Sequence, residues 1–157
     1  MARKLRRLTP ADCWGLGMSY LYLVWAGGRI LLCREKIDRW LKGGLDAAGG
    51  TPATVSEWNV MTRRARWVNA AARYPLPWAR CLQRSLALCT WLDRSGLRPV
   101  LKIGVRLDGG ALSAHAWVER DGRVVNDTPI AVGEFGVLEG SDPQSPGGRL
   151  DREGRWI

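Results

Sequence analysis

The chain of 157 residues is long enough for one domain with a real core, and its 46% hydrophobic content is ordinary for a globular protein. Its 24 basic against 15 acidic residues give a formal charge of +9, which suggests an acidic partner without saying which. There is no C-x-x-C pair or other zinc spacing, no G-x-x-x-x-G-K-[ST] and no G-x-G-x-x-G after a strand, so no metal or nucleotide motif is visible.

The first eleven residues carry Arg3, Lys4, Arg6 and Arg7, followed by an apolar run from Cys13 to Gly28. A basic start, an apolar middle and Ala26-Gly27-Gly28 imitate a signal peptide, and the run also invites comparison with a membrane span. It falls short of the ~20 residues a span needs. The favoured reading is a core helix with Leu16, Tyr20, Leu23, Gly27 and Ile30 on one face. A second helix over about 29–42 follows from Ile30, Cys33, Ile37, Trp40 and Leu41, stopped by Gly43-Gly44. Residues 43–53 read as a flexible connection. Thr54 and Glu57 form a capping box that opens a helix over about 55–73. Its apolar face is Trp58, Met61, Ala65, Val68 and Ala72, and Arg63, Arg66 and Arg73 form a basic stripe opposite. That stripe is either a solvated surface or a groove for an acidic partner.

Tyr74-Pro75-Leu76-Pro77-Trp78 forbids helix continuation, so the next helix starts after it, with Cys81 in the first turn. Leu82, Leu86 and Cys89, widened by Leu88 and Trp91, form its apolar face, and Gly96 ends it. A thiol at a helix N-terminus meets the positive end of the dipole and unpaired N–H groups, which favour the thiolate nucleophile. Cys81 and Cys89 lie about two turns, roughly 12 Å, apart, too far for a disulfide. Free thiols fit a reducing cytoplasm, the expected location. Strands follow over Pro99–Leu107 and Ser113–Glu119, with a turn at Asp108-Gly109-Gly110, and Arg123–Asp127 returns after the Asp121-Gly122 hairpin signal. From Gly133 onward the composition is that of a loop, and 139–155 reads as flexible.

Thiol chemistry on a peptide needs a nucleophile, a base and a group that orients the base. The chain offers Cys81, its one histidine His115, and Asp127. The words around them are Cys81-Leu82-Gln83-Arg84-Ser85-Leu86, Leu101-Lys102-Ile103-Gly104-Val105-Arg106, Ala114-His115-Ala116-Trp117-Val118-Glu119 and Asp121-Gly122-Arg123-Val124-Val125-Asn126-Asp127. Together, over about Trp58 to Leu138, they resemble the transglutaminase-like cysteine proteases of lasso-peptide biosynthesis, the leader peptidases or B proteins.

The resemblance implies an α+β fold, a papain/transglutaminase-like core in which a Cys-bearing helix packs on a small antiparallel sheet. It implies a single domain over 1–157, with apolar and basic N-terminal helices over 1–50, the core over 54–138 and a flexible tail over 139–157. Cys81 would be the nucleophile, His115 the general base and acid, and Asp127 the orienter. The substrate would be a ribosomally made precursor peptide, cut between leader and core. A separate ATP-using cyclase would close the ring. Residues 1–50 do not read as the winged-helix module that grips the leader, so a discrete recognition protein is expected. The resemblance carries a link to ATP in some members; otherwise no cofactor, metal or nucleic acid is expected. Two alternatives stand beside this reading: a transglutaminase-like acyl transferase to an amine, and a non-catalytic basic module for nucleic acid or membrane.

The hairpin offers a geometric expectation. A clean two-residue loop pairs Arg120 with Arg123, Trp117 with Asn126 and Ala116 with Asp127, which turns Asp127 away from His115 and favours Asn126 as orienter. A bulged turn with Gly122 in the left-handed region puts Asp127 opposite His115, so a Cys-His-Asp site predicts the bulge. Of the oxyanion donors, the Cys81 N–H is the natural first; Gln83 or Trp78 are options for the second. Trp117 is expected to pack beside the site, and Arg80 and Arg84 are either solvated or grip an acidic leader.

Overall fold

The computed structural model describes residues 9–32, 51–73 and 79–138. They form α1 (Pro10–Leu32), α2 (Val55–Arg73), α3 (Cys81–Asp93), β1 (Val100–Asp108), β2 (Ala111–Arg120), β3 (Arg123–Val124), a short α4 (Pro129–Gly133) and β4 (Gly136–Val137). The sheet is antiparallel, with order β3-β2-β1-β4. The architecture is α+β, as expected of a transglutaminase-like core.

The centre is α3. All residues from Ser85 to Leu92 are buried, whereas the periodicity predicts only one apolar face. A helix apolar on all sides is surrounded, and α3 packs against α1, α2 and the sheet. Its polar members are satisfied: Ser85 Oγ donates to the Ala116 carbonyl at 2.8 Å, and Thr90 Oγ1 to the Leu86 carbonyl at 2.8 Å. Gly96, at φ +74°, accommodates the left-handed turn that ends the helix.

Where the sequence suggests a stop at Gly28 and a new helix from Arg29, α1 continues to Leu32. Interior glycines weaken a helix by about 1 kcal/mol each but do not break it when packing carries the segment. Here Leu23 and Ala26 are fully buried in the common core, with Ile30 packed against it. The face is also rotated: Gly15, Ser19, Leu23 and Ala26 point inward and Tyr20 is exposed. Gly15 allows the Trp67 ring of α2 to lie against the α1 backbone, with Trp67 Nε1 donating to Asp12 at 3.1 Å. Asp12 and Thr9 cap the helix reciprocally. The rest of the expected 29–42 helix, the connection over 43–50 and the tail over 139–157 lie outside the described residues. No helix among the described residues is long and apolar enough to cross a membrane.

The capping box of α2 is present: Thr54 N–H donates to Glu57 at 2.6 Å and Glu57 N–H to Thr54 Oγ1 at 3.3 Å. The Thr54 backbone bond, then its side-chain bond, hold the Glu57 carboxyl below its ordinary value. A lowered folded-state value means that this contribution is present above the unfolded carboxyl range and lost as pH falls through the depressed value. Glu57→Gln therefore flattens the acid limb of the pH–stability curve, read as thermal midpoints from pH 7 to pH 3. Met61, Ala65, Val68, Ala71 and Ala72 form the buried face, and Arg63, Arg66 and Arg73 are exposed.

Both hairpin turns are two residues long, with both central residues at positive φ: Gly109 (56°) and Gly110 (88°), then Asp121 (50°) and Gly122 (70°). This is the type I′ arrangement. Asp121 tolerates its φ while its carboxylate accepts the Ala53 N–H at 2.7 Å, tying the second hairpin to the start of α2. The loop-like composition after Gly133 conceals β4, which pairs with β1 at Gly104 and Val105.

Candidate active site

Cys81 opens α3. Arg80, at the N-cap, is extended and contributes no side-chain cap, so the first-turn N–H groups are not spent on one. Of the free cysteines among the described residues, Cys13 is exposed on α1 and Cys89 is buried, burial driving its thiol well up from the ordinary value. Cys81, half-buried, lines a cleft of ≈ 170 Å³, counting its open mouth, together with Arg84, Ser85, His115, Asn126 and Asp127.

His115 lies on β2 opposite Gly104 of β1. Its Nε2 meets Asp127 Oδ2 at 2.7 Å, and Asp127 Oδ1 accepts the Thr128 N–H at 2.8 Å. The imidazole sits beside Trp117 (centroids 6.1 Å, stacked) and Phe135 (5.2 Å, tilted). Trp117 is buried and its Nε1 donates to Glu119 at 2.6 Å, which in turn pairs with Lys102 at 3.4 Å. Trp117 thus packs beside the histidine with its polar atom turned to a partner of its own.

The close approach of these rings depends on Gly104. A Cβ there would lie 2.8 Å from Phe135 Cβ and 2.9 Å from the Trp117 ring. Gly104→Ala is expected to destabilise by about 1–3 kcal/mol, the usual cost of overpacking. It should also shift the His115 ring resonances in an NMR spectrum, because both neighbours that flank the imidazole must move.

The bulged turn expected from the chemistry is not formed. Arg120 pairs with Arg123 and Glu119 with Val124, the clean two-residue register, yet Asp127 still reaches His115. The expectation fails because it carries the strand through to Asp127. In the structure β3 ends at Val124, and the last ladder bond runs from Val125 N–H to the Val118 carbonyl at 2.9 Å. The return bond from Val118 N–H goes to the side chain of Asn126, Oδ1, at 2.8 Å. Asn126 Nδ2 donates to Ser85 Oγ at 2.9 Å, and the Asn126 carbonyl accepts from Asn69 Nδ2 at 3.0 Å. A side-chain amide replaces the main chain at the end of the ladder, the backbone bends away, and Asp127 turns to the histidine. Asn126 is therefore the clamp that turns Asp127 toward His115, a structural part that its place in the sequence does not reveal.

Three more residues were not singled out as site residues: Ser85, Asn69 and Phe135. Phe135 carries a signal in hindsight, as the chain's one phenylalanine between Gly133 and Gly136. Gln83, a suggested oxyanion donor, is buried and points elsewhere, its Nε2 reaching the Leu23 carbonyl of α1 at 3.4 Å. Trp78 lies outside the described residues.

A Cys-bearing central helix thus packs on an antiparallel sheet that presents a His–Asp pair to the same cleft. Comparison with family models gives the name: the chain belongs to the transglutaminase-like superfamily, which matches residues 28–140. No curated protein and no solved structure matches it significantly. Membership of this superfamily indicates cysteine protease or acyl transferase activity.

Proposed function

We propose that the protein is a cysteine peptidase that removes the leader from a ribosomally made lasso-peptide precursor. The observation that carries the catalytic part is the 2.7 Å His115–Asp127 contact on a cleft that Cys81 also lines. The Asp127 carboxylate accepts from Nε2, which leaves Nδ1 as the basic nitrogen of the neutral ring. In the proposed reaction Cys81 Sγ gives its proton to His115 and attacks the scissile carbonyl carbon. The carbonyl oxygen takes the negative charge, with the Cys81 N–H as one donor. The C–N bond breaks, His115 returns the proton to the departing amine of the core peptide, and the leader remains as a thioester on Cys81. Water, deprotonated by His115, hydrolyses the thioester and frees the leader carboxylate.

The lasso assignment rests on the sequence words around Cys81, His115 and Asp127, and it brings two partners: a discrete winged-helix recognition protein that delivers the leader, and an ATP-using cyclase that consumes the freed core. The test mixes the protein with a candidate precursor, with and without the recognition protein, and reads fragment masses. Two fragments whose masses sum to the precursor plus one water are expected. Intact precursor in every mixture would remove the peptidase reading. Superfamily membership equally supports a second reading, in which an amine intercepts the thioester. An aminated or cross-linked product in place of the free leader acid would establish that one.

A further inference from the structure

Arg84 stands one turn beyond Cys81 on the same side of α3, since residues three apart are neighbours on a helix. It lines the cleft with Cys81, His115 and Asp127, and its Nε is buried without a hydrogen-bond partner. The Nε atoms of Arg106 and Arg120 also lack a hydrogen bond, but Arg120 Nε pairs with Asp121 at 3.2 Å and both guanidiniums are engaged through other nitrogens. Arg106 meets Glu134 and Asp108, and Arg120 meets the carbonyls of Arg98 and Thr51. No such partner meets Arg84 among the described residues. The acid of the same cleft, Asp127, is committed to His115 and the Thr128 N–H. A guanidinium offers five donors in a planar fork and accepts nothing, and a desolvated donor left unpaired is costly. The cleft therefore presents a cationic fork beside the Cys81 sulfur, with no anion among the described residues to fill it.

We infer that Arg84 is a specificity-determining residue that binds a carboxylate of the substrate next to the scissile carbonyl. The preferred substrates are then peptides with an acidic group at that position, either an Asp or Glu side chain or a free C-terminal carboxylate. This rests on Cys81 being the nucleophile, and the test separates the two ideas because it needs no peptidase activity. Cys81 is alkylated with iodoacetate and with iodoacetamide, which differ in carrying a carboxylate or a neutral amide, and labelling is followed by peptide mass. Relative to iodoacetamide, iodoacetate should react with wild-type Cys81 about fivefold faster than with Arg84→Gln, the size of one screened charge pair. Arg84→Lys should restore part of the ratio, and exposed Cys13 should show none of the difference. N-acetylaspartate α-amide and N-acetylglycine, tested as protectants against iodoacetamide, distinguish a side-chain from a C-terminal carboxylate, with N-acetylasparagine amide as the neutral control. Protection by either acid that is lost in Arg84→Gln supports the inference. An unmoved alkylation ratio in folded Arg84→Gln, or protection by neither acid, overturns it and leaves the nucleophile standing. A folded wild-type protein whose Cys81 resists both reagents overturns the nucleophile as well.

Discussion

On the proposed mechanism, Cys81→Ala and His115→Ala should each reduce precursor cleavage to background, at least about 10⁴-fold, because a nucleophile and its base act as one unit and removing either forfeits nearly the whole covalent route. The fold should survive both changes. Cys81 is only half-buried at a helix start, and His115 lies at the edge of the cleft with part of its side chain in solvent. Loss of activity with an unchanged thermal midpoint is therefore the expected pair of readings. Loss of both together would point to a structural role. Cys89→Ala, by contrast, should retain chemistry and lose stability by roughly 1 kcal/mol, since it trims a buried thiol that packs like a small hydrophobe.

The second large effect separates Asp127 from Asn126. Asp127→Ala leaves the clamp intact and removes the group on His115 Nε2. Turnover should fall about a thousandfold or more, as for loss of the orienting acid in a triad, with stability changed by less than about 1 kcal/mol. Asn126→Ala keeps the acid but deletes the acceptor of the fully buried Val118 N–H and the donor to Ser85 Oγ. An unsatisfied buried N–H costs about 1–3 kcal/mol, so this variant should lose stability first and activity as a consequence. Thermal midpoints and turnover measured on the same preparations distinguish the two patterns. If Asn126→Ala were fully stable but inactive while Asp127→Ala remained active, Asn126 would be the orienter and the assignment of Asp127 would be wrong.

Much of the fold was legible in the sequence because its signals are local. The Thr54–Glu57 capping box, the alternation through Leu101, Ile103 and Val105, and the glycines at 109, 110 and 122 each dictate a few residues at short range, and the helix and both hairpins follow. The limits of α1 were less legible. Gly27-Gly28 weakens a helix locally, while the packing that carries it onward comes from α2 and α3.

The site divides along the same line. Cys81 at a helix start and His115 on a strand follow from proline placement and alternation. The meeting of His115 with Asp127 does not, because it depends on a bend rather than a register. The bend exists because Ser85, forty-one positions upstream of Asn126, holds its side chain across the end of the ladder. Periodicity carries no information about such an exchange of main-chain for side-chain acceptor. Phe135 was missed for a related reason: β4 is two residues long and is defined by pairing with β1, not by any pattern of its own.

The most direct test of the central claim is the acid-quenched mass of the enzyme during precursor turnover. The intact protein should gain the mass of the leader acyl group, located on the peptide containing Cys81, released by hydroxylamine and absent from Cys81→Ala. Undiminished precursor cleavage by Cys81→Ala would contradict the proposed chemistry.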